Sequence, residues 1–130
     1  MNDEQERAVL AAIDKIIDDF GHHRREDYFS GFSEEATFVF HTSERRLESR
    51  AEYEEVWAGW ERDNGFAVLG CASTNRRIQL LEDVAIFSHD VETRARIDGA
   101  EEVLHERESI IMHERDGQWL CIHEHLSGRD

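Results

Sequence analysis

The second half of the chain consists of four long segments with the residue pattern of β-strands, and this feature restricts the fold most. The segments cover residues 66–81, 83–97, 101–114 and 118–127. Two connections between them, Asp98-Gly99 and Asp116-Gly117, have the composition of two-residue hairpin turns. The sequence therefore predicts an antiparallel meander. Strands of this length twist and coil, so the sheet has a concave face that other elements must cover.

The first half of the chain supplies the elements that cover this face. Apolar residues at helical spacing predict a helix over residues 4–20, and Gly21 ends it. A short helix is predicted over residues 24–32, and a strand over residues 36–41. The order helix, helix, strand, helix and meander indicates an α+β fold of one domain over residues 1–130.

A third helix is predicted after a capping box formed by Ser49 and Glu52. Its apolar face carries Tyr53, Trp57 and Trp60 at helical spacing. These rings could form a wall against which a ligand stacks, although we expect at least one tryptophan to be simply buried. The predicted architecture is a cone, in which three N-terminal helices pack on a strongly curved, mainly antiparallel sheet and leave a pocket.

The charge of the chain restricts its partners. The net charge is -15 over 130 residues. Such a field repels phosphate backbones and anionic lipids, so we expect neither a nucleic acid nor a membrane as a partner. The first seven residues, MNDEQER, are acidic and lack an apolar segment, so a cytoplasmic location is expected. The two cysteines, Cys71 and Cys121, have no metal-binding spacing and are expected to be buried, inert thiols.

The last hairpin contains the pattern Asp-Gly-x-Trp-x-x-x-His-x-His-x-Ser, which fixes six residue types across the twelve positions 116–127. This pattern resembles the final hairpin of the association (hub) domain of calcium/calmodulin-dependent protein kinase II. It is equally similar to that of the bacterial SnoaL-like relatives of the hub, in the nuclear transport factor 2-like superfamily. The resemblance implies a cone-shaped, cystatin-like fold, dimers or larger rings, and a pocket between sheet and helices. It does not imply one activity, because such folds serve many functions.

The chain departs from the hub domain at the positions that matter for its ligand. The hub pocket is lined by arginines that bind small carboxylates, and the resemblance aligns these positions with Val91, Ile110 and Leu126. A pocket histidine of the hub corresponds to Tyr53. A carboxylate-binding role is therefore not expected here. These departures from the hub pattern, together with the net acidic charge, instead predict an apolar, aromatic pocket for a neutral or cationic, partly apolar ligand.

Strand alternation divides the sheet into two faces with different predicted roles. The resemblance turns one face toward the pocket, which we predict to be lined by Phe38, Phe40, Tyr53, Trp57, Trp60, Val91, Ile110, Met112, Glu124 and Leu126. The other face, which also carries Cys121, is predicted to form the interface of a homodimer or of a larger ring. Its predicted members are Arg94, Arg96, Arg107, Ser109, Trp119, His123, His125 and Ser127.

The two histidines of the last strand raise the question of a metal site. His123 and His125 are two residues apart on a strand and point the same way, and His113 could be a third ligand. The neighbouring arginines would repel a cation, and no carboxylate is clearly placed among the histidines. A hydrogen-bonded dimer interface explains the same residues, so we expect no metal and no cofactor.

Glu124 is the best candidate for a catalytic residue. It lies between Ile122 and Leu126 on the presumed pocket face, where loss of water would raise the pKa of its carboxyl group. It could then act as a general acid or base with His89 as its partner. Alternatively, Glu124 pairs with an arginine or points outward at the rim of the cone.

Two functions of different classes are consistent with these features. The first is a homodimeric domain that binds a small molecule without catalysis. The second is an acid–base enzyme of the isomerase, cyclase or dehydratase type, acting on a polyketide-, steroid- or terpenoid-like substrate. A pocket that keeps Glu124 away from water, with His89 or a tyrosine in reach, favours the enzyme, whereas a pocket plugged by aromatic rings favours a scaffold.

Overall fold

The computed structural model describes residues 3–129, which form three helices and five strands. In chain order the elements are α1 (Asp3–Gly21), α2 (Arg25–Phe29), β1 (Phe32–Phe40), α3 (Arg50–Asn64), β2 (Ala67–Leu81), β3 (Val84–Ile97), β4 (Ala100–Arg115) and β5 (Gln118–Gly128). The predicted α+β fold, with helices packed on a mainly antiparallel sheet, is confirmed. The four long strands end within one residue of their predicted limits.

The five strands form one open sheet in the order β1-β5-β4-β3-β2. All neighbouring strands are antiparallel except β1 and β5, which run parallel. The helices pack on one face of the sheet, which we call the inner face, and the outer face is the opposite one. None of the helices within residues 3–129 is long and apolar enough to cross a membrane.

The two hairpin turns follow directly from their Asp-Gly sequences. Asp98 and Gly99 have φ angles of 54° and 82°, and Asp116 and Gly117 have φ angles of 55° and 78°. Positive φ at both central residues matches the right-handed twist of the flanking strands, and aspartate and glycine tolerate it well. The predicted hairpins are confirmed.

The predicted cap of helix α3 is also present. Ser49 has an extended backbone, and its side chain accepts a hydrogen bond from the backbone N–H of Glu52 at 3.2 Å. At the other end, Gly65 adopts a left-handed conformation with φ of 58°. Both ends of α3 therefore satisfy backbone groups that a helix cannot satisfy internally.

Helix α2 ends three residues earlier than predicted, and strand β1 begins four residues earlier. Phe32 thus belongs to β1 rather than to the helix. The carbonyl group of Gly31 accepts a hydrogen bond from the backbone N–H of Cys121 at 2.9 Å, so the backbone joins β5 at this point. A side chain at Gly31 would also lie 2.7 Å from Ile16 of α1. The boundary between α2 and β1 is determined by pairing with the distant strand β5. The spacing of apolar residues near the boundary does not predict that pairing.

Strand β5 contains one extra residue opposite β4. Ile111 pairs with His123, and the next residue, Met112, pairs with Cys121. Ile122 therefore has no partner of its own, which defines a β-bulge at this residue. Because side chains alternate along a strand, the bulge exchanges the two faces of β5 on either side of Ile122.

Because of the bulge, the first residues of β5 lie on the opposite face of the sheet from the one predicted for them. Trp119 and Cys121 are buried in the core on the inner face, and Glu124 is buried on that same face. The prediction that Trp119 and Cys121 share the outer face with His123 is therefore wrong. The apolar character of these two residues reflects their position in the core of this chain and carries no argument for a subunit interface.

The core between α1, α3 and the sheet is dense in aromatic rings. Its largest fully buried side chains are Trp57, Phe32, Phe38 and Phe87. The expectation that at least one tryptophan is simply buried holds for Trp57, which has no exposed surface. This packed core borders a cavity between the helices and the inner face of the sheet.

Candidate functional site

A cavity of about 310 Å³ lies between the helices and the inner face of the sheet. Its volume is at the lower end of the range for pockets that hold small ligands, roughly 300–1,000 Å³. It is lined by Ile16, Ile17, Phe20, Tyr28, Phe40, Thr42, Tyr53, Trp60, Asn64, Phe66, Cys71, His89, Val91, Thr93, Ile97, Leu104, Glu106, Glu108, Ile110, Glu124 and Leu126.

The structure divides the predicted pocket residues into two groups. The residues that line the cavity are Phe40, Tyr53, Trp60, Val91, Ile110, Glu124 and Leu126. Phe38, Trp57 and Met112 lie outside this lining and are fully buried in the core. The rings of Phe38 and Trp57 pack against the ring of Tyr53, which lines the cavity.

Glu124 lies on the cavity wall with only 2% of its surface exposed. No side chain within the described residues forms a hydrogen bond or an ion pair with its carboxyl group. Burial raises the pKa of this carboxyl well above its ordinary value, and the nearby Glu108 raises it further. Glu124 is therefore neither paired with an arginine nor exposed at the rim. Its carboxyl group keeps its proton to a higher pH than an ordinary glutamate does.

His89 lies on the same wall and is fixed by two hydrogen bonds. Its Nδ1 is 2.6 Å from the Ser73 hydroxyl group, and its Nε2 is 2.8 Å from Oε1 of Glu108. Only 2% of the residue is exposed. His89 therefore contacts Glu108, which stands between it and Glu124 on the inner face. The three groups form a short row on the inner face, although no hydrogen bond joins Glu108 to Glu124 among the described residues.

A third carboxyl group, that of Glu106, lines the cavity from strand β4. Its Oε2 is 2.6 Å from Nε2 of His41, and the residue is buried. Glu106 and Glu108 were not among the predicted site residues. Leu104, Glu106, Glu108 and Ile110 occupy every second position of β4 and therefore share one face. The same period of two that identified Ile110 could have identified both glutamates.

Aromatic hydroxyl groups form the opposite wall of the cavity. The hydroxyl oxygens of Tyr28 and Tyr53 are 3.0 Å apart. Burial raises the pKa of both phenols well above the ordinary value, so both remain protonated donors at neutral pH. Cys71 also lines the cavity, and burial raises the pKa of its thiol to about 11, which leaves it a poor nucleophile at pH 7.

Most of the predicted interface residues lie together on the outer face. Arg107 pairs with Ser127, and Ser109 pairs with His125, in adjacent positions of β4 and β5. His123 follows beyond them, and its Nδ1 is 2.7 Å from the Thr37 hydroxyl group. Arg94 and Arg96 lie on the exposed side of β3, whereas Trp119 lies in the core.

The histidines of the outer face do not converge on a common point. His113 contacts Asp83, with 3.2 Å between Nε2 and Oδ2, while His123 contacts Thr37. In the part of the chain that the structure describes, no three histidine, cysteine, aspartate or glutamate side chains are arranged to hold a metal ion.

The sequence profile of the SnoaL-like domain matches residues 9–129. No curated protein sequence matches the chain. Among solved structures, a ketosteroid isomerase-like protein from Erwinia carotovora atroseptica is 14% identical with a TM-score of 0.82, covering 99% of this chain and 99% of that chain. A protein from Exiguobacterium sibiricum described as a Ca/calmodulin-dependent kinase II association domain is 13% identical with a TM-score of 0.81, covering 100% and 97%.

A third similar structure, from Novosphingobium aromaticivorans, is described as a scytalone dehydratase. It is 16% identical with a TM-score of 0.80, covering 97% of this chain and 85% of that chain. At these identities the likeness concerns the fold alone. The predicted nuclear transport factor 2-like fold is confirmed.

Proposed function

Because the chain belongs to the SnoaL-like domain family, we propose that it is a small-molecule-binding domain whose ligand occupies the cavity between the sheet and the helices. The observation that carries this proposal is Glu124. Burying a carboxyl group without a hydrogen-bond partner is unfavourable relative to leaving it in water, unless another group in the cavity forms that hydrogen bond. A ligand in the cavity supplies that partner.

The cavity lining defines the chemistry of the proposed ligand. Aromatic and aliphatic side chains form most of the wall, and they favour a partly apolar molecule. The polar groups include three carboxyls, of Glu106, Glu108 and Glu124. An anionic ligand would meet these carboxyls without a compensating arginine or lysine among the described lining residues. The ligand is therefore neutral or cationic, and Glu124 is its main polar contact.

Replacing Leu126 with arginine should weaken binding of a neutral probe by tenfold or more. Leu126 lines the cavity opposite Glu108 on β4, so a long charged side chain there would occupy ligand space and pair with the carboxyls. Benzyl alcohol is a suitable probe, and NMR shifts of Tyr53 and Ile110 report its position. Val103→Arg is the matched control, because Val103 is 48% exposed on the outer face. Equal affinities in wild type and Leu126→Arg would place binding elsewhere.

A second candidate function is acid–base catalysis, which the row of Glu124, Glu108 and His89 favours. A carboxyl that keeps its proton at neutral pH can donate it, and an adjacent histidine–carboxylate pair can accept one. The names of two similar structures, a ketosteroid isomerase-like protein and a scytalone dehydratase, agree with this chemistry. The substrate would be a polyketide-, steroid- or terpenoid-like molecule, and the reaction an isomerisation, cyclisation or dehydration.

Conversion of cyclohex-3-en-1-one to the conjugated enone tests this candidate, because it needs only removal and return of one proton. The wild-type protein should accelerate the rise in enone absorbance above the buffer rate, and the acceleration should fall toward that rate in Glu124→Gln. His89→Gln should also slow the reaction, since it breaks the contact with Glu108. A wild-type rate equal to the buffer rate would contradict the proposed catalysis and would leave only the binding function.

We also propose that the chain forms a homodimer through its outer face. The association domain among the similar structures supports self-association, and the outer face carries a mixed row of arginine, serine and histidine side chains. At micromolar concentration, sedimentation velocity should show a dimer. Arg107→Ala should weaken it by about 1–3 kcal/mol if the side chain is buried against a partner, and should leave the cavity unchanged. A wild-type monomer would contradict this proposal.

A further inference from the structure

The charges around the cavity do not balance. Two of its three carboxyls have a histidine partner, Glu106 with His41 and Glu108 with His89. Glu124 has none, and no lysine or arginine belongs to the cavity lining within residues 3–129. The cavity therefore has one more carboxyl group than it has histidine partners for them. The net charge of -15 extends the same negative potential to the surroundings of the cavity.

The apolar part of the wall has a matching property. Phe40, Tyr53, Trp60 and Phe66 line the cavity, and the rings of Tyr53 and Trp60 lie 6.3 Å apart at 71°. The ring of Phe66 lies 5.4 Å from that of Trp60 at 68°. Rings set at steep angles present faces from more than one direction. The face of an aromatic ring attracts a cation within about 6 Å of its centre.

We propose that the ligand of this cavity is an organic cation, with a protonated or quaternary amine on a small apolar body. This inference rests on the proposed function and narrows its ligand class from neutral or cationic to cationic. The carboxyl of Glu124 contacts the positive nitrogen, and the rings around Tyr53 and Trp60 contact its alkyl substituents. The apolar body occupies the part of the cavity next to Ile110 and Leu126.

A cation with alkyl groups interacts favourably with both the acidic groups and the aromatic rings of the cavity wall. A neutral apolar molecule interacts favourably with the rings alone. A hydroxyl or carbonyl group can form a hydrogen bond with Glu124, but it brings no positive charge to the cavity carboxyl that lacks a histidine partner. A positive nitrogen forms an ion pair with Glu124, which releases its proton to water as the cation binds. Buried charges in proteins are tolerated where they are paired, and the bound cation provides this pairing.

The test compares probes that share a benzyl group and differ in charge. Benzylamine and benzyltrimethylammonium are cations at pH 7, benzyl alcohol is neutral, and phenylmethanesulfonate is an anion. Affinities for the wild-type protein are measured by NMR titration at one ionic strength. We expect both cations to bind at least tenfold more tightly than benzyl alcohol, since charge-assisted contacts contribute roughly tenfold or more. We expect no binding of the sulfonate.

Two variants separate the ion pair from general electrostatic attraction. Glu124→Gln should reduce the preference for the cations over benzyl alcohol to about twofold or less. Glu92→Gln makes the same substitution at an exposed position of β3 and should leave the preference unchanged. Equal loss of preference in the two variants would show attraction by net charge alone and would overturn the inference.

The wild-type titration distinguishes failure of this inference from failure of the proposed function. Benzyl alcohol binding in the cavity as tightly as the cations would overturn the cationic ligand and leave the binding domain standing. If none of the four probes shifts the signals of Tyr53 or Ile110, both proposals are contradicted. The comparison needs no variant, so it holds even if a substitution at Glu124 unfolds the protein.

Discussion

Replacing Glu124 with glutamine is expected to stabilise the protein, by an amount that grows as the pH rises. In the folded protein, burial first and Glu108 second keep the pKa of Glu124 well above the ordinary glutamate value. The unfolded chain releases this proton at the ordinary pKa, so above that pH the folded state binds more protons than the unfolded state. The free energy of unfolding of the wild type therefore falls with rising pH until the folded-state pKa is passed.

Glutamine has nearly the shape of the protonated glutamate and does not titrate, so the variant lacks this decline. The difference in unfolding free energy between variant and wild type should grow by up to about 1.4 kcal/mol for each pH unit in that window. Urea unfolding at four pH values measures the difference directly.

The exposed Glu92 provides the control for this series. Glu92→Gln should change the unfolding free energy by less than about 0.5 kcal/mol, with little dependence on pH. Parallel stability curves for wild type and Glu124→Gln would mean that Glu124 loses its proton equally easily in the folded and unfolded states. That result would contradict the description of Glu124 as a buried, unpartnered carboxyl.

Replacing Trp57 with alanine is expected to lower the free energy of unfolding by about 3–5 kcal/mol. The side chain is fully buried, and its ring lies within 6.4 Å of seven other aromatic rings. Its indole N–H also donates a hydrogen bond to Glu61 at 2.8 Å. Alanine would leave a cavity in the core and would remove one hydrogen bond to Glu61, whose carboxylate keeps its contacts with His23 and Arg25.

Trp60→Ala is the matched comparison, because Trp60 is only partly buried and faces the ligand cavity. It should cost less stability than Trp57→Ala and weaken ligand binding more. Because small domains are stable by roughly 5–15 kcal/mol, Trp57→Ala should still fold at low temperature. Urea denaturation at 10 °C gives both values. Equal costs for the two tryptophans would contradict the division between core and cavity.

The sequence predicts the elements of this fold well wherever local chemistry determines them. The turns at Asp98-Gly99 and Asp116-Gly117 need positive φ angles, which these residue types adopt easily. The cap at Ser49 depends on one side chain and one backbone group three residues away. Such features require no knowledge of distant contacts, and all of them appear where they were predicted.

Pairing between distant strands is what the sequence does not reveal. The bulge at Ile122 depends on the register of β5 against β4. None of the residue types near Ile122 indicates that β5 contains an extra residue there. Alternation counted through that point assigns Trp119 to the outer face, although the structure buries it in the core. Glu124 keeps its predicted face because it lies beyond the bulge, where counting from the end of the strand is correct.

The candidate site shows the same division. Glu124 and His89 could be chosen from alternation along single strands, but the contact between His89 and Glu108 joins two strands. The third carboxyl, Glu106, follows from the same register of β3 and β4. Alternation along β4 could have placed Glu106 and Glu108 on the face of Ile110, but their contacts with His41 and His89, which leave Glu124 alone without a partner among the three carboxyls, become visible only in the folded chain.

The most direct test of the whole account is an NMR titration of the Glu124 side-chain carboxyl carbon, assigned by comparison with Glu124→Gln. Binding, acid–base catalysis and recognition of a cation all require that this carboxyl be buried and without a partner in the free protein. The account predicts that it titrates well above the ordinary glutamate pKa of about 4.3, and that benzyltrimethylammonium shifts the titration to lower pH. A carboxyl that titrates at or below the ordinary value in the free protein would contradict it.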